Sequence, residues 1–310
     1  MNLAHLHLLL NHFPTVGMTV GLALFLLALI SKSIDLKKAS LCIFLMIALV
    51  SLPTYVTGNA AQDVLGDRPE VSVDAIHAHQ SMALLGLIFI ELTGCLAWVA
   101  LWRYRRKAAF TGWHLNGVLV LALLTMGIMA NAASIGGLIN HPEIRGPDPI
   151  PAALGPLTDQ VIQEFVLSDH PNTWIVGETL HFIGLAMLFG VVTLLDLRML
   201  GVLKSIPFEA LHRLMPLAVV AFAVNVITGM MFFVAQSGQY IKNDVFYWKL
   251  ALVMTAGLNA LYFTVLEEPW ALAAGSDAPA RGKAVAVSAI AIWIGIVYCG
   301  DMLPFIGGAF

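Results

Sequence analysis

The sequence predicts an all-α integral membrane protein: eight transmembrane helices in two related four-helix units, with both termini on the outer, periplasmic side. Three observations predict it. Of the 310 residues, 59% are hydrophobic and only 11% charged, whereas a soluble domain carries about a quarter charged residues. Apolar runs of bilayer-spanning length recur along the whole chain. The basic residues gather in alternate loops.

The apolar runs cover roughly residues 12–31, 39–60, 77–102, 112–135, 173–196, 213–235, 244–266 and 284–303, each expected to be a helix because backbone in lipid must bond within its own segment. Polar breaks at 102–113 and 267–284 separate some of them. One set of loops holds twelve basic residues, among them Lys37, Lys38, Arg103, Arg106, Lys204 and Arg213. The other set holds three, Arg68, Arg145 and Lys242. Basic loops stay in the cytoplasm, so the ends of the chain face outward, and a bacterial inner membrane is the expected location. The outer loops are acidic, and the longer one is proline-rich with a short amphipathic helix expected near 158–167. The units are therefore 1–140 and 173–310, joined by an outer loop at 141–172.

Several classes are excluded. No basic tract offers a nucleic-acid surface. Cys42, Cys95 and Cys299 sit in apolar runs and form neither CxxC nor CxxCH, which argues against covalent c-type haem and zinc–cysteine sites. The start lacks a basic n-region and a small-residue cleavage site, so it is expected to be the first span, not a cleaved signal.

A duplication shows in short echoes. Thr57-Gly58 ends the second span and Thr228-Gly229 the sixth. Gly136 ends the fourth and Gly307 the eighth, and the Gly58–Gly136 and Gly229–Gly307 spacings are both 78 residues. The stretch 6–13 also echoes 179–186. Units with an even number of spans run parallel, related by an axis along the membrane normal.

Topology places His5, His7, His12, His77, His79, His141, His170 and His181 on the outer side, and only His114 and His212 inside. His12 begins the first span beside Pro14, a natural first-turn proline. His77 and His79 begin the third span. Two histidines on two helices of a four-helix bundle can bind haem iron axially. The expected pair is His12 with His79, with His7 and His77 as alternates. Two other readings stay open: interfacial histidines finishing helix ends, and a bare copper or zinc site.

The second unit offers Glu178 and His181, three apart on one helix face, a ligand spacing of di-iron bundles that finds no second copy here. His181 is either a further cofactor ligand or a hydrogen-bonded core histidine. Lys249 either snorkels, pairs with Glu178 or Asp244, or meets an acidic group such as a haem propionate. Glu91, near the middle of the third span, and Glu178 are candidates for a proton or quinone site. Asn131, Asn225 and Asn259 are expected to bond between helices, and "DLR" (196–198) to form an interfacial ion pair.

The opening "HLHLLLNHFPTVG" resembles the histidine-x4-histidine-Phe-Pro start of an uncharacterised bacterial membrane family, matched here by His7, His12, His77 or His79, and Gly136-Gly137. That resemblance covers about residues 5–140. The chain departs from it in carrying Leu8 where that family has proline. From Trp174 to about Leu272 the chain looks like a second membrane family of unknown function, on Glu178, His181, "DLRMLG", "TGMMFF", Lys249 and Asn259. The first resemblance implies haem or quinone work. The resulting expectation is a b-type cytochrome-like electron-transfer subunit with haem near the outer face, exchanging electrons with quinone and an outer-side redox partner. The rival expectations are a non-catalytic scaffold or anchor subunit of a larger complex, and a metal or solute transporter.

Overall fold

A computed structural model describes residues 3–66, 68, 71–105, 112–145, 158–167, 172–262 and 272–306. Among them every regular element is helical. The chain divides into unit 1, Met1–Glu164, and unit 2, Phe165–Phe310, a boundary inside the expected outer loop.

Unit 1 comprises α1 (Leu3–Leu10), α2 (His12–Ile30), α3 (Ile34–Leu65), α4 (Val73–Arg105) and α5 (Trp113–Asn140), followed by α6 (Asp159–Leu167), which runs to the unit boundary and just past it. The first span starts about nine residues before the apolar run, because His5 and His7 are carried into the helix. It breaks at Asn11, where Pro14 has no N–H to offer the Leu10 carbonyl. Ser33 opens α3 by accepting the Leu36 N–H on its side chain (3.3 Å).

Helices α2 to α5 close into a ring: α2 packs on α3 and α5, and α4 packs on α3 and α5. The α1 segment lies against α3. Met18, Phe25, Leu41 and Phe44 are buried between α2 and α3, with the two phenyl rings edge to face. Gly94 lets α4 approach α3 closely, since a Cβ there would clash with Ala48 Cβ. Thr93 and Thr125 join α4 to α5 by a buried hydroxyl contact of 3.1 Å.

Unit 2 comprises α7 (Asn172–Leu200), α8 (Phe208–His212), α9 (Met215–Ala235), α10 (Ser237–Tyr240), α11 (Asp244–Leu261) and α12 (Ala280–Met302). Its principal packing runs as a row: α9 on α7, α7 on α12, α12 on α11. Buried Asn243 opens α11, accepting from Val245 N–H (3.0 Å) and donating to the carbonyls of Leu303 and Ile306.

Among the described residues seven helical stretches are long and apolar enough to cross a membrane, which makes this a multi-pass membrane protein. The expected span 244–266 appears as the 18-residue α11, where Asp244, Lys249 and Asn259 dilute the apolar run. Residues 263–271 lie outside the described set, as do His170 and Gly307.

Three polar expectations are revised. The "DLR" pair does not form among the described residues. Arg198 is fully buried and donates to the carbonyls of Ile206 (2.5 Å), Ser276 (3.3 Å) and Ala273 (2.8 Å). Asp196, two residues away and on a different helix face, is fully buried, with neither oxygen hydrogen-bonded among the described residues. Asn259 does bond across helices, to Val285 O and Ser288 Oγ, whereas Asn225 bonds Ala221 O of its own helix and Asn131 is exposed.

Candidate functional site

One end of unit 1 contains a cavity of about 520 Å³, within the usual ligand-pocket range of roughly 300–1,000 Å³. Its α4 wall is Ile76, His79, Gln80, Ala83, Leu87 and Ile90, one stripe by helical period. Its α3 wall runs from Leu65 at the helix end down to Ser51 at mid-span. By helix rise that is a depth of about 21 Å. Asn59 and Gln80 tie the two walls together through an amide bond of 3.0 Å.

His7 and His79 both line the cavity, and His79 lies within electrostatic reach of His7. Each ring is fixed in the same way. His7 Nδ1 bonds the Thr54 carbonyl at 3.0 Å, and His79 Nδ1 bonds the Ala132 carbonyl at 2.8 Å. A carbonyl only accepts, so each Nδ1 carries the hydrogen and each Nε2 keeps a lone pair. Neither Nε2 has a hydrogen-bond partner among the described residues.

The two supporting carbonyls lie four residues before a glycine of the same helix, Thr54 before Gly58 and Ala132 before Gly136. Within an α-helix the glycine N–H already takes one lone pair of that carbonyl. The imidazole takes the other, and it reaches it because no Cβ stands in the way. A Cβ on Gly58 would be 3.1 Å from His7 Cε1, and one on Gly136 would be 3.1 Å from His79 Cε1 and Nδ1.

His12 also lines the cavity but is exposed, with Nδ1 held by the neighbouring Asn11 Oδ1. His141 stands there too, exposed and paired with Glu143 at 2.8 Å. The Glu143 carboxyl, outside the spans, is held below its ordinary range by its own backbone N–H first and by His141 next. His77 and His5 are exposed and do not line the cavity. Two histidines two residues apart on α4 thus take different roles, because His79 faces α5 and His77 is exposed.

Unit 2 repeats part of this pattern. His181 Nδ1 is 2.8 Å from Thr228 Oγ1, whose single hydrogen goes to Val224 O at 2.7 Å. The hydroxyl therefore accepts, and His181 too carries its hydrogen on Nδ1. A Cβ on Gly229 would be 3.5 Å from His181 Cε1. Thr57, in the matching Thr-Gly pair of unit 1, likewise donates to the carbonyl four residues back, Pro53 O at 2.7 Å. Lys249 lies within electrostatic reach of His181, its Nζ 3.4 Å from where a Cβ on Gly300 would be. It makes no ion pair among the described residues, with Glu178, Asp244 or any other carboxylate. Glu178 is exposed one turn before His181. The rings of Trp174 and Phe232 meet close by at a tilt of 42°, centroids 4.6 Å apart, with Phe232 5.9 Å from the imidazole.

Glu91 sits below the cavity floor, bonded to Ser51 Oγ at 3.2 Å. Among the described residues no three His, Cys, Asp or Glu side chains converge as a metal cluster.

Sequence reasoning missed Ser51, Thr54 and Ala132. The signal for the last two was a glycine four residues further along a helix facing a histidine, a pattern visible only once the helices are paired.

The family model of a family of unknown function (DUF6644) matches residues 172–306, most of unit 2. No curated protein and no solved structure matches the chain.

Proposed function

We propose that the chain is a membrane electron-transfer subunit, b-type cytochrome-like, whose unit 1 cavity holds a haem between His7 and His79. The observation that carries this is the pair of Nε2 lone pairs, each fixed by an Nδ1–H bond to helix backbone, lining one cavity. A neutral imidazole with its other nitrogen bonded to a carbonyl is the state in which histidine binds a metal. The apolar stripe on α4 suits the faces of a porphyrin. Bound haem supplies a one-electron redox couple, and the protein sets its potential and access. His12 and His141 line the same cavity and would meet polar edges of the group.

The remaining parts of the reading follow from charge and context. The cavity end bears the loops poor in Lys and Arg, so it faces outward, in a bacterial inner membrane. Electrons pass between the quinone pool and an outer-side redox partner. In unit 2, His181 and Lys249 form a subsidiary cofactor or quinone contact.

A reduced-minus-oxidised visible spectrum of the purified protein is the test. A low-spin b-type band that disappears in both His7→Ala and His79→Ala is expected. No band in folded protein produced with haem supply sinks the reading. A band lost in His12→Ala but kept in His7→Ala reassigns the axial pair.

A further inference from the structure

We propose that Glu91 is a proton-binding site whose protonation follows the redox state of the group in the unit 1 cavity, with Ser51 as the hydroxyl that links the two. This rests on the haem reading above.

Ser51 has a wall and a back. It lines the cavity at its deep end, and its hydroxyl lies 3.2 Å from Glu91 Oε1 and 2.7 Å from Ala48 O. A hydroxyl has one hydrogen. If that hydrogen goes to the Ala48 carbonyl, which only accepts, then the contact with Glu91 is a bond only when Glu91 donates, that is, when it carries a proton. If Glu91 is ionised, the hydroxyl must turn its hydrogen to the carboxylate and give up Ala48 O. Two protonation states of Glu91 thus match two positions of one hydroxyl on the cavity wall.

The surroundings leave the carboxyl to respond to the cavity. No cation pairs with Glu91 among the described residues, and Ser51 is its hydrogen-bond partner there. Helices α3 and α5 pack on α4. On α3 the titratable groups are Tyr55, and toward the ends Asp35, Lys37, Lys38, Cys42 and Asp63; α5 offers only His114 at its start. On α4 itself Cys95, one turn on, is in electrostatic contact with Glu91. A charge held at mid-span without a partner is costly, so a negative charge added nearby favours the protonated form.

The step balances simply. One electron, from a quinol or a reduced partner, adds one negative charge to the cavity group. One proton from water at the cavity mouth joins a Glu91 carboxylate oxygen; one O–H bond forms and no protein bond breaks. Reoxidation releases both.

The experiment is a redox titration of the haem-loaded full chain in detergent from acid to alkaline pH, with dithionite as reductant, beside redox-difference infrared spectra. The midpoint potential is expected to fall as pH rises in the parent protein and to fall less steeply in Glu91→Gln. A protonated-carboxyl band is expected in the parent difference spectrum, absent in Glu91→Gln and shifted in Ser51→Ala, which keeps the carboxyl. An intact haem band with the same pH slope in parent and Glu91→Gln overturns this inference alone. So does a carboxyl band unmoved by Ser51→Ala, a readout that stands if Glu91→Gln fails to fold. Absence of the haem band overturns the functional reading and this inference with it.

Discussion

His7 and His79 are held by the same device: each gives its Nδ1 hydrogen to the carbonyl four residues before a glycine, Thr54 O at 3.0 Å and Ala132 O at 2.8 Å. The glycine opens the helix surface, the carbonyl fixes the tautomer, and the free nitrogen is presented away from the backbone. Two copies of that device on opposite walls of one cavity set both rings before any ligand arrives. The ordering cost of binding is correspondingly reduced.

The glycines are therefore expected to be as sensitive as the histidines. Gly136→Leu places side-chain atoms where His79 now lies, since even a Cβ would be 3.1 Å from its ring. Haem absorbance per protein is expected to drop at least tenfold, with helix content by circular dichroism unchanged. Gly127→Ala is the control, since nothing lies within 4 Å of a Cβ there. Equal loss of haem in both variants counts against the cradle.

In unit 2 the corresponding device runs through a hydroxyl. Thr228→Val removes the acceptor of the His181 Nδ1–H and is expected to cost about 1 kcal/mol. Thermal unfolding in detergent measures it. The haem band proposed for His7 and His79 is expected to be unchanged, and a lost band would show that unit 2 supplies a ligand.

Arg198 is a structural anchor in unit 2, fully buried and bonded to three backbone carbonyls. Arg198→Ala removes the buried guanidinium and its bonds to the part-buried carbonyls of Ile206, Ala273 and Ser276, at a cost of about 2 kcal/mol. Arg198→Lys is expected to recover little, because an ammonium does not reproduce the guanidinium fork. Unfolding temperatures within a degree of the parent's would refute the anchor.

The same loop carries a pH-sensitive tie. Asp277 accepts from Lys204 at 2.6 Å and from Lys283 at 3.4 Å, and these, Lys204 first, hold its carboxyl below the ordinary range. A lowered carboxyl pKa stabilises the fold above the unfolded-state value, and the benefit is lost as pH falls through the folded-state value. The groups are exposed, so the effect is small and salt-dependent. Exchange of the Gly275 N–H, bonded to Lys204 O at 2.7 Å, is expected to accelerate below that pH after correction for intrinsic rates. In Asp277→Asn it should lose this extra pH dependence.

Helices follow from apolar runs because hydrocarbon permits little else, so most spans were legible in advance. The short helix Asp159–Leu167 was legible from its amphipathic spacing. The site was legible only in part. His79 was singled out from the depth at which its span begins, but depth does not distinguish His7 from His12. That choice depends on which ring meets the Thr54 carbonyl, a relation between helices distant in sequence. The fate of "DLR" was hidden for the same reason: Arg198's acceptors lie up to 78 residues further along the chain.

The α1 segment, eight residues long, has no fully buried side chain and lies on α3, where half-buried His7 is bonded to Thr54. Whatever occupies the cavity and grips His7 thereby becomes a clasp for that segment. Filled and empty molecules would differ most at this helix, in how readily it frays and is trimmed by proteases. Quality control in the cell would then have a physical way to tell a loaded subunit from an empty one without inspecting the cavity itself.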